Sequence, residues 1–210
     1  MGAVGQHEPW DPRTVGIALA AYQPNPVWLA EQLASIAAQT HTEWICMITL
    51  DSPLEEIRSS PDLASFMHDA RFVWVENPER LGVRSNFQKA TQLLLERDVD
   101  LIAFSDQDDV WLPEKIAESV AAIKARGPLS MVYCDAYLLV EGVTRPERLH
   151  EYTVRTRGEM SIGEQIISPQ VSGFCEVFDA TLAKLHPTMP TESTDHDHWY
   201  SLVAAAYGGV

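Results

Sequence analysis

Short, nearly uninterrupted apolar runs, each followed by a segment of helical period, constrain this chain more than any other feature. Val15–Ala21, Trp44–Leu50, Phe72–Val75, Leu101–Phe104 and Met131–Cys134 are such runs. A strand with one wet face alternates apolar and polar residues, whereas a strand buried on both faces reads as a continuous apolar block. Between the runs, Leu29, Leu33, Ile36 and Ala37 share one face of a predicted helix. Phe87, Ala90, Leu93 and Leu94 do the same, as do Ile116, Val120 and Ile123. Alternating strands and helices predict an α/β fold, a mostly parallel doubly wound sheet with helices on both faces.

The segments between these elements carry turn and helix-start signals. Tyr22-Gln23-Pro24-Asn25-Pro26 breaks the first run. Ser52-Pro53-Leu54-Glu55 reads as a helix start, with Ser52 as N-cap and Pro53 at the first helical position. A turn is expected through Asn77, Pro78 and Gly82, and a further helix from Leu112-Pro113-Glu114. Residues 142–163 have few apolar side chains but hold Arg145, Arg148, Arg155 and Arg157. Val171–Phe178 then reads as a strand, and Thr194–Tyr207 as a helix with Trp199, Leu202, Val203 and Ala206 inward. Residues 1–13 read as a polar leader and 14–210 as one domain.

Thirty acidic residues against fifteen basic ones give a net charge of -15. Such a surface repels nucleic acid and anionic lipid, so no nucleic-acid partner is expected. An anionic substrate would need a metal ion or clustered arginines to meet it. Cys46, Cys134 and Cys175 are scattered in apolar runs, and are expected to be reduced and buried in strands. No apolar stretch approaches the roughly 20 residues a spanning helix needs. No basic segment followed by an apolar block opens the chain, so the expected location is cytoplasmic.

Ligands of open α/β sheets bind beyond the carboxyl ends of the strands. Three predicted loops there hold useful polar groups: Tyr22-Gln23, Asp51-Ser52, and the acidic cluster after Phe104. Asp106, Asp108 and Asp109 crowd three negative charges onto one strand end. Alone they repel one another; with Mg²⁺ or Mn²⁺ they make a hard-oxygen site able to grip a diphosphate. The plainer reading is an acidic turn capping the helix at Pro113, although a cap needs one acidic residue rather than three. No GxxxxGK[ST], no GxGxxG after the first strand and no GxSxG occur, which excludes three common α/β chemistries. His196 and His198 lie two apart, do not share a helical face, and do not predict a zinc site.

Several short motifs follow one another in a familiar order. Ala20-Ala21-Tyr22 ends the first run, and Ser35-Ile36-Ala37-Ala38-Gln39-Thr40 closes the first helix. Asn77, Gly82, Asn86 and Ala90 fall in an Asn-x-x-x-x-Gly-x-x-x-Asn-x-x-x-Ala pattern. Phe104-Ser105-Asp106-Gln107-Asp108-Asp109-Val110-Trp111-Leu112-Pro113-Glu114-Lys115 comes next, then Val171-Ser172-Gly173 and His196-Asp197-His198-Trp199. The ordered set resembles the inverting glycosyltransferases of family 2, with the GT-A fold, and within them the bacterial rhamnosyltransferase-like members of surface polysaccharide synthesis.

The resemblance implies roles for particular residues. Tyr22 would stack near the nucleotide base, and Asp51 would accept a hydrogen bond from the base imide. Asn86 and Asp106 would belong to the same nucleotide-sugar site, with Asp106 touching the ribose or a metal-bound water. Asp108 and Asp109 would hold a divalent Mg²⁺ or Mn²⁺ and the diphosphate, and Asp197 would be the catalytic base. It further implies a UDP- or dTDP-sugar donor and a glycan or lipid-linked saccharide acceptor, which would bring the protein to the inner face of the membrane.

Two departures stand out. Asp51-Ser52-Pro53 replaces the family's Asp-Asp-Gly-Ser, so one acidic contact is missing. The family's later Tyr-Arg-x-His stretch is absent, which implies a domain incomplete at its C-terminus. Two other functions remain open on these residues. One is a nucleotide-sugar-binding module without transfer. The other is a sugar-phosphate nucleotidyltransferase, whose Gly-rich loop Ala21-Tyr22-Gln23-Pro24 does not match.

Overall fold

Four of the apolar runs become neighbouring strands: β1 (Val15–Ala21), β2 (Trp44–Leu50), β3 (Phe72–Glu76) and β4 (Leu101–Ser105). The computed structural model describes residues 10–139, 147–149, 161–167, 171–190 and 195–210. Helices α1 (Pro26–Ala37), α2 (Leu54–Arg58), α3 (Val83–Leu95) and α4 (Lys115–Arg126) alternate with the strands and follow the predicted order. Then come β5 (Met131–Tyr133), a small hairpin of β6 (Tyr137–Leu138) and β7 (Glu147–Arg148), and α5 (Ile162–Ile167). A 3-10 turn over Gly173–Cys175 leads into β8 (Glu176–Asp179), α6 (Ala180–Leu185) and α7 (His196–Ala206).

The main sheet has the order β3-β2-β1-β4-β8-β5. β1, β2, β3 and β4 pair in parallel, while β8 lies antiparallel to both β4 and β5. β5 therefore runs in the same direction as β4. The sheet is mostly parallel as expected, but its late strand enters reversed, between two strands that are successive in sequence. The chain winds outward from β1 through β2 to β3, then returns to β4 on the other side of β1. That reversal is the switch point at which open α/β sheets take ligands.

Strand side chains alternate between two apolar layers. Ile17 and Leu19 pack with Leu29, Leu33 and Ile36 of α1 and with Ile116, Val120 and Ile123 of α4. Ala18, Ile102 and Phe104 face the other way, onto Phe87, Ala90 and Leu94 of α3, Leu182 of α6, and Tyr200 and Val203 of α7. Helices thus cover both faces, and β1, β2 and β4 are dry on both, which is why their runs read as unbroken.

Three local expectations are corrected. α2 starts one residue late, with Pro53 at the cap position; the Ser52 hydroxyl is buried without a partner among the described residues. Its first turn is held instead by Glu76 of β3, whose Oε2 accepts from Leu54 N at 2.9 Å. The predicted strand over 171–178 begins only at Glu176, because Cys175 N bonds back to Ser172 O at 2.9 Å and turns the chain. The inward face of α7 is His196, Tyr200, Ser201, Val203 and Ala204, so that Val203 is inward as expected while Trp199, Leu202 and Ala206 are not buried. Aromatic packing decides that rotation: His196 stacks on Phe87 with ring centroids 3.8 Å apart, and Tyr200 on Phe178 at 4.7 Å. Among the described residues no helix is long and apolar enough to cross a membrane.

Candidate active site

The acidic loop leaves β4 at the switch point and is pinned there by polar groups of α1. Gln32 is fully buried. With its amide oriented to satisfy all its neighbours, it donates to Asp109 O at 2.7 Å and Ser35 Oγ at 3.0 Å. In that orientation its oxygen accepts from Ser105 Oγ at 2.6 Å and Trp111 Nε1 at 3.3 Å. Ser35 Oγ accepts from Trp111 N at 2.9 Å. Gln39 Nε2 donates to Leu112 O at 2.8 Å, and Gln39 Oε1 accepts from Ile116 N at 3.0 Å in the first turn of α4. Thr40 N adds a bond to Pro113 O at 2.9 Å. The cap of α4 is therefore supplied by Gln39, and the capping reading of the aspartates gives way. On the other side, Gln107 Oε1 accepts from Tyr22 N at 2.9 Å and ties the loop to the end of β1.

The cluster so held is short of positive charge. Burial pushes the Asp106 carboxyl up to about 7, with the Asp109, Asp108 and Asp197 charges adding to the effect and Lys115 opposing it. Asp109 is also raised, by burial first and then by Asp108, and its Oδ2 is buried with no partner among the described residues. Asp108 is exposed. Lys115 sits across from them, its Nζ donating to Phe174 O at 2.5 Å and lying 3.5 Å from the Trp111 ring centroid. Burial lowers its pKa. Among the described residues no three Asp, Glu, His or Cys side chains converge into a metal cage. The orphaned Asp109 oxygen and the raised carboxyls instead suit a cation that takes one or two carboxylates and fills its shell from a diphosphate and water.

Asp197 lies in the first turn of α7, close enough to Asp106 for their charges to interact. Its Oδ2 accepts from Gly173 N at 3.1 Å and its Oδ1 from His198 N at 2.7 Å. Asp195 occupies the N-cap position without a side-chain cap bond, so it does not take over the helix-end role from Asp197. Gly173 is required there: a Cβ would stand 2.7 Å from His196 Nε2 and 3.4 Å from Asp197 Cβ. Behind this turn, Glu176 of β8 is 0% exposed, and neither carboxylate oxygen has a partner among the described residues. Burial, then the charge of Asp197, drives its pKa well above the ordinary glutamate value.

The remaining predicted residues form the far side of the switch point. Tyr22 is partly exposed, and the Arg80 guanidinium stacks 4.0 Å from its ring centroid. Asp51 accepts from Asn77 Nδ2 at 2.7 Å, Leu81 N at 3.0 Å and Gly82 N at 2.8 Å, and so organises the turn that carries Arg80. Gly82 needs its positive φ of 80 to make that turn. Asn86 is 2% exposed, donating to Thr49 O at 3.0 Å and accepting from Asn77 Nδ2 at 2.8 Å. It is joined to the site through Asn77 and Asp51. Lys89 Nζ donates to Asn77 Oδ1 at 2.6 Å.

Tyr22, Asp51, Asp106, Asp108 and Asp109 thus gather at one sheet edge, and Asp197 reaches it from α7. Sequence reasoning assigned no role to Gln32, Arg80 and Glu176, and held Gln39 and Lys115 only as members of motifs. Two had legible signals: Gln32 is a polar residue on the apolar face of α1, and Glu176 a charge inside an apolar run. Arg80 carried none, because its partner Tyr22 is distant in sequence. Of the predicted arginine cluster, Arg145, Arg155 and Arg157 lie outside the described residues. Arg148 is exposed in β7, with its guanidinium 5.8 Å from the Tyr137 ring.

No family model matches the chain. It is similar to an uncharacterized glycosyltransferase of Methanocaldococcus jannaschii, 21% identical over 201 residues, covering 94% of this chain and 67% of that protein. Among solved structures it is similar to the mannosyltransferase PcManGT of Pyrobaculum calidifontis, in complex with GDP-Man and Mn²⁺. That match has a TM-score of 0.64 and 19% identity, and covers 95% of this chain and 54% of that one. S. aureus TarS 1-349 in complex with UDP matches at a TM-score of 0.61 and 16% identity, over 91% of this chain and 55% of that one. The chain spans about half the length of these two solved proteins. These likenesses define its fold as GT-A, a mixed α/β architecture with a six-stranded sheet flanked by helices.

Proposed function

We propose that the chain is the donor-binding and catalytic part of a metal-dependent, inverting glycosyltransferase of the family 2 type, close to the rhamnosyltransferase-like members. The observation that carries this reading is the meeting of an under-compensated carboxylate cluster, Asp106, Asp108 and Asp109, with Asp197 at the switch point of a GT-A fold. The donor is a nucleoside-diphosphate sugar, UDP- or dTDP-linked, and the acceptor a glycan or lipid-linked saccharide at the inner membrane face. The mannosyltransferase neighbour, bound to GDP-Man and Mn²⁺, supports the same class of ligand.

Asp108 and Asp109 would hold Mg²⁺ or Mn²⁺, which supplies charge neutralisation to a departing diphosphate. Tyr22, flanked by Arg80, offers a ring for the base, while Asp51 fixes the turn beneath it. Asp197 takes the proton from the acceptor hydroxyl at a carboxylate oxygen. The freed oxygen attacks the anomeric carbon as the bond to diphosphate breaks on the opposite face, so configuration inverts. Gly173 N–H keeps the Asp197 carboxylate oriented for this. A panel of nucleotide sugars titrated with and without Mn²⁺, followed by an assay for released nucleoside diphosphate, tests the reading. Metal-independent binding, or no binding at all, overturns it. Binding without release supports the donor-binding module instead.

A further inference from the structure

Cysteines that look unrelated in the sequence meet in the fold. The register of β5 and β8 ends with Tyr133 opposite Glu176, and Cys134 and Cys175 are the next residues beyond it on the two strands. Cys134 N donates to Cys175 O at 3.2 Å, and the two thiols are hydrogen-bonded to each other. Residues that face each other across antiparallel strands have Cα atoms about 4.5–5.5 Å apart. That lies inside the disulfide range of about 4.4–6.8 Å. The two thiols differ in setting: Cys134 is half-buried, whereas Cys175 is buried. The Lys115 ammonium stands near both and stabilises a thiolate. The Cys175 hydrogen bond, with help from Lys115, lowers the Cys134 pKa, and the same bond raises that of Cys175. A less buried, activated thiol beside a fully protected one is the arrangement of an attacking and a resolving cysteine.

Neighbouring residues connect this pair to the acidic edge. Gly173 N holds Asp197 Oδ2, Phe174 O accepts from Lys115 Nζ, and Cys175 O accepts from Cys134 N. Three consecutive residues of one tight turn therefore touch the proposed base, the buried cation and the thiol pair. We propose that Cys134 and Cys175 form a peroxide-reactive dithiol, whose closure to a disulfide shifts the Gly173–Cys175 turn and slows turnover by displacing Asp197. In the first step the Cys134 thiolate attacks a hydroperoxide oxygen. The S–O bond forms, the O–O bond breaks, and the departing alkoxide or hydroxide takes up a proton. Cys175 sulfur then attacks Cys134 sulfur as its own proton goes to the leaving hydroxide, giving the disulfide and water. Two thiols are oxidised by two electrons and one hydroperoxide is reduced.

The effect on turnover rests on the transfer reading above, whereas disulfide formation does not. The full chain is treated with hydrogen peroxide, and intact mass, turnover and donor affinity are read before and after dithiothreitol. The expected result is loss of two hydrogens, a fall in turnover of about fivefold or more, donor Kd within about twofold, and recovery on reduction. Cys134→Ser keeps basal turnover and loses the peroxide response; Cys175→Ser stops at a dimedone-reactive sulfenic acid on Cys134. An unchanged mass, or equal sensitivity in either variant, overturns the dithiol. A disulfide that leaves turnover unchanged overturns its link to Asp197. If reduced protein never turns over, the transfer reading fails while the mass measurement still decides the thiols.

Discussion

Gln39 Oε1 accepts a hydrogen bond from Ile116 N at 3.0 Å, joining the end of α1 to the start of α4 across more than seventy residues of chain. Gln39 is 4% exposed, and its amide nitrogen also holds Leu112 O. The acidic loop between Asp106 and Trp111 is therefore suspended between β4 and a helix cap that depends on a distant side chain. The Ser-Ile-x-x-Gln-Thr motif has its physical explanation here: Gln39 and Thr40 hold the loop that carries the carboxylates.

Gln39→Ala strips a partner from the Ile116 N–H and the Leu112 carbonyl at once. Leaving such groups unpaired costs about 1–3 kcal/mol. We expect a loss of that size in urea unfolding, together with weaker Mn²⁺-dependent nucleotide binding as the loop is released. A variant with parental stability and parental affinity would show that the loop holds itself.

Asp108 is exposed, so Asp108→Asn should change stability by no more than about 0.5 kcal/mol. Calorimetry should nonetheless show the loss of Mn²⁺-dependent nucleoside diphosphate binding. Retained binding would remove Asp108 from the metal site.

For Asp197, the expectation is a split between chemistry and binding. Asp197→Asn should leave donor affinity within about twofold and lower turnover by roughly 10²–10⁴. The parent carboxylate also accepts from Gly173 N and His198 N, so thermal unfolding of the variant must be measured alongside. Turnover at the parental rate would place the base elsewhere.

Glu176 supplies a pH signature. Its pKa in the fold is raised well above the ordinary glutamate value, by burial and by the charge of Asp197. Between the unfolded and folded values the native state binds more protons than the unfolded one, so stability falls as pH rises through that window. Below the unfolded value the contribution is flat. Glu176→Gln should remain stable on the alkaline side where the parent weakens, and match it near pH 4. Parallel curves of unfolding midpoint against pH would mean that Glu176 finds a partner in solution.

Much of the fold was legible because burial on both faces leaves a direct mark on sequence. The unbroken runs of β1, β2 and β4 and the helical periods of α1, α3 and α4 follow from dry strand faces and one-sided helices. So does the placing of Asp51 and Asp106 to Asp109 at strand ends, since a parallel sheet puts all such ends on one edge. Other features belong to the tertiary structure, because they depend on residues far apart in the chain. The reversed entry of β8 is one. The inward turn of His196 and Tyr200 is another, where stacking on Phe87 and Phe178 outweighs a pattern that favoured Trp199 and Leu202. The Arg80 stack on Tyr22 and the orphan carboxyl of Glu176 come from the same source. Cys134 and Cys175 mark the boundary most sharply: their separation along the chain gives no sign of pairing, and they meet only where the ends of two antiparallel strands come together.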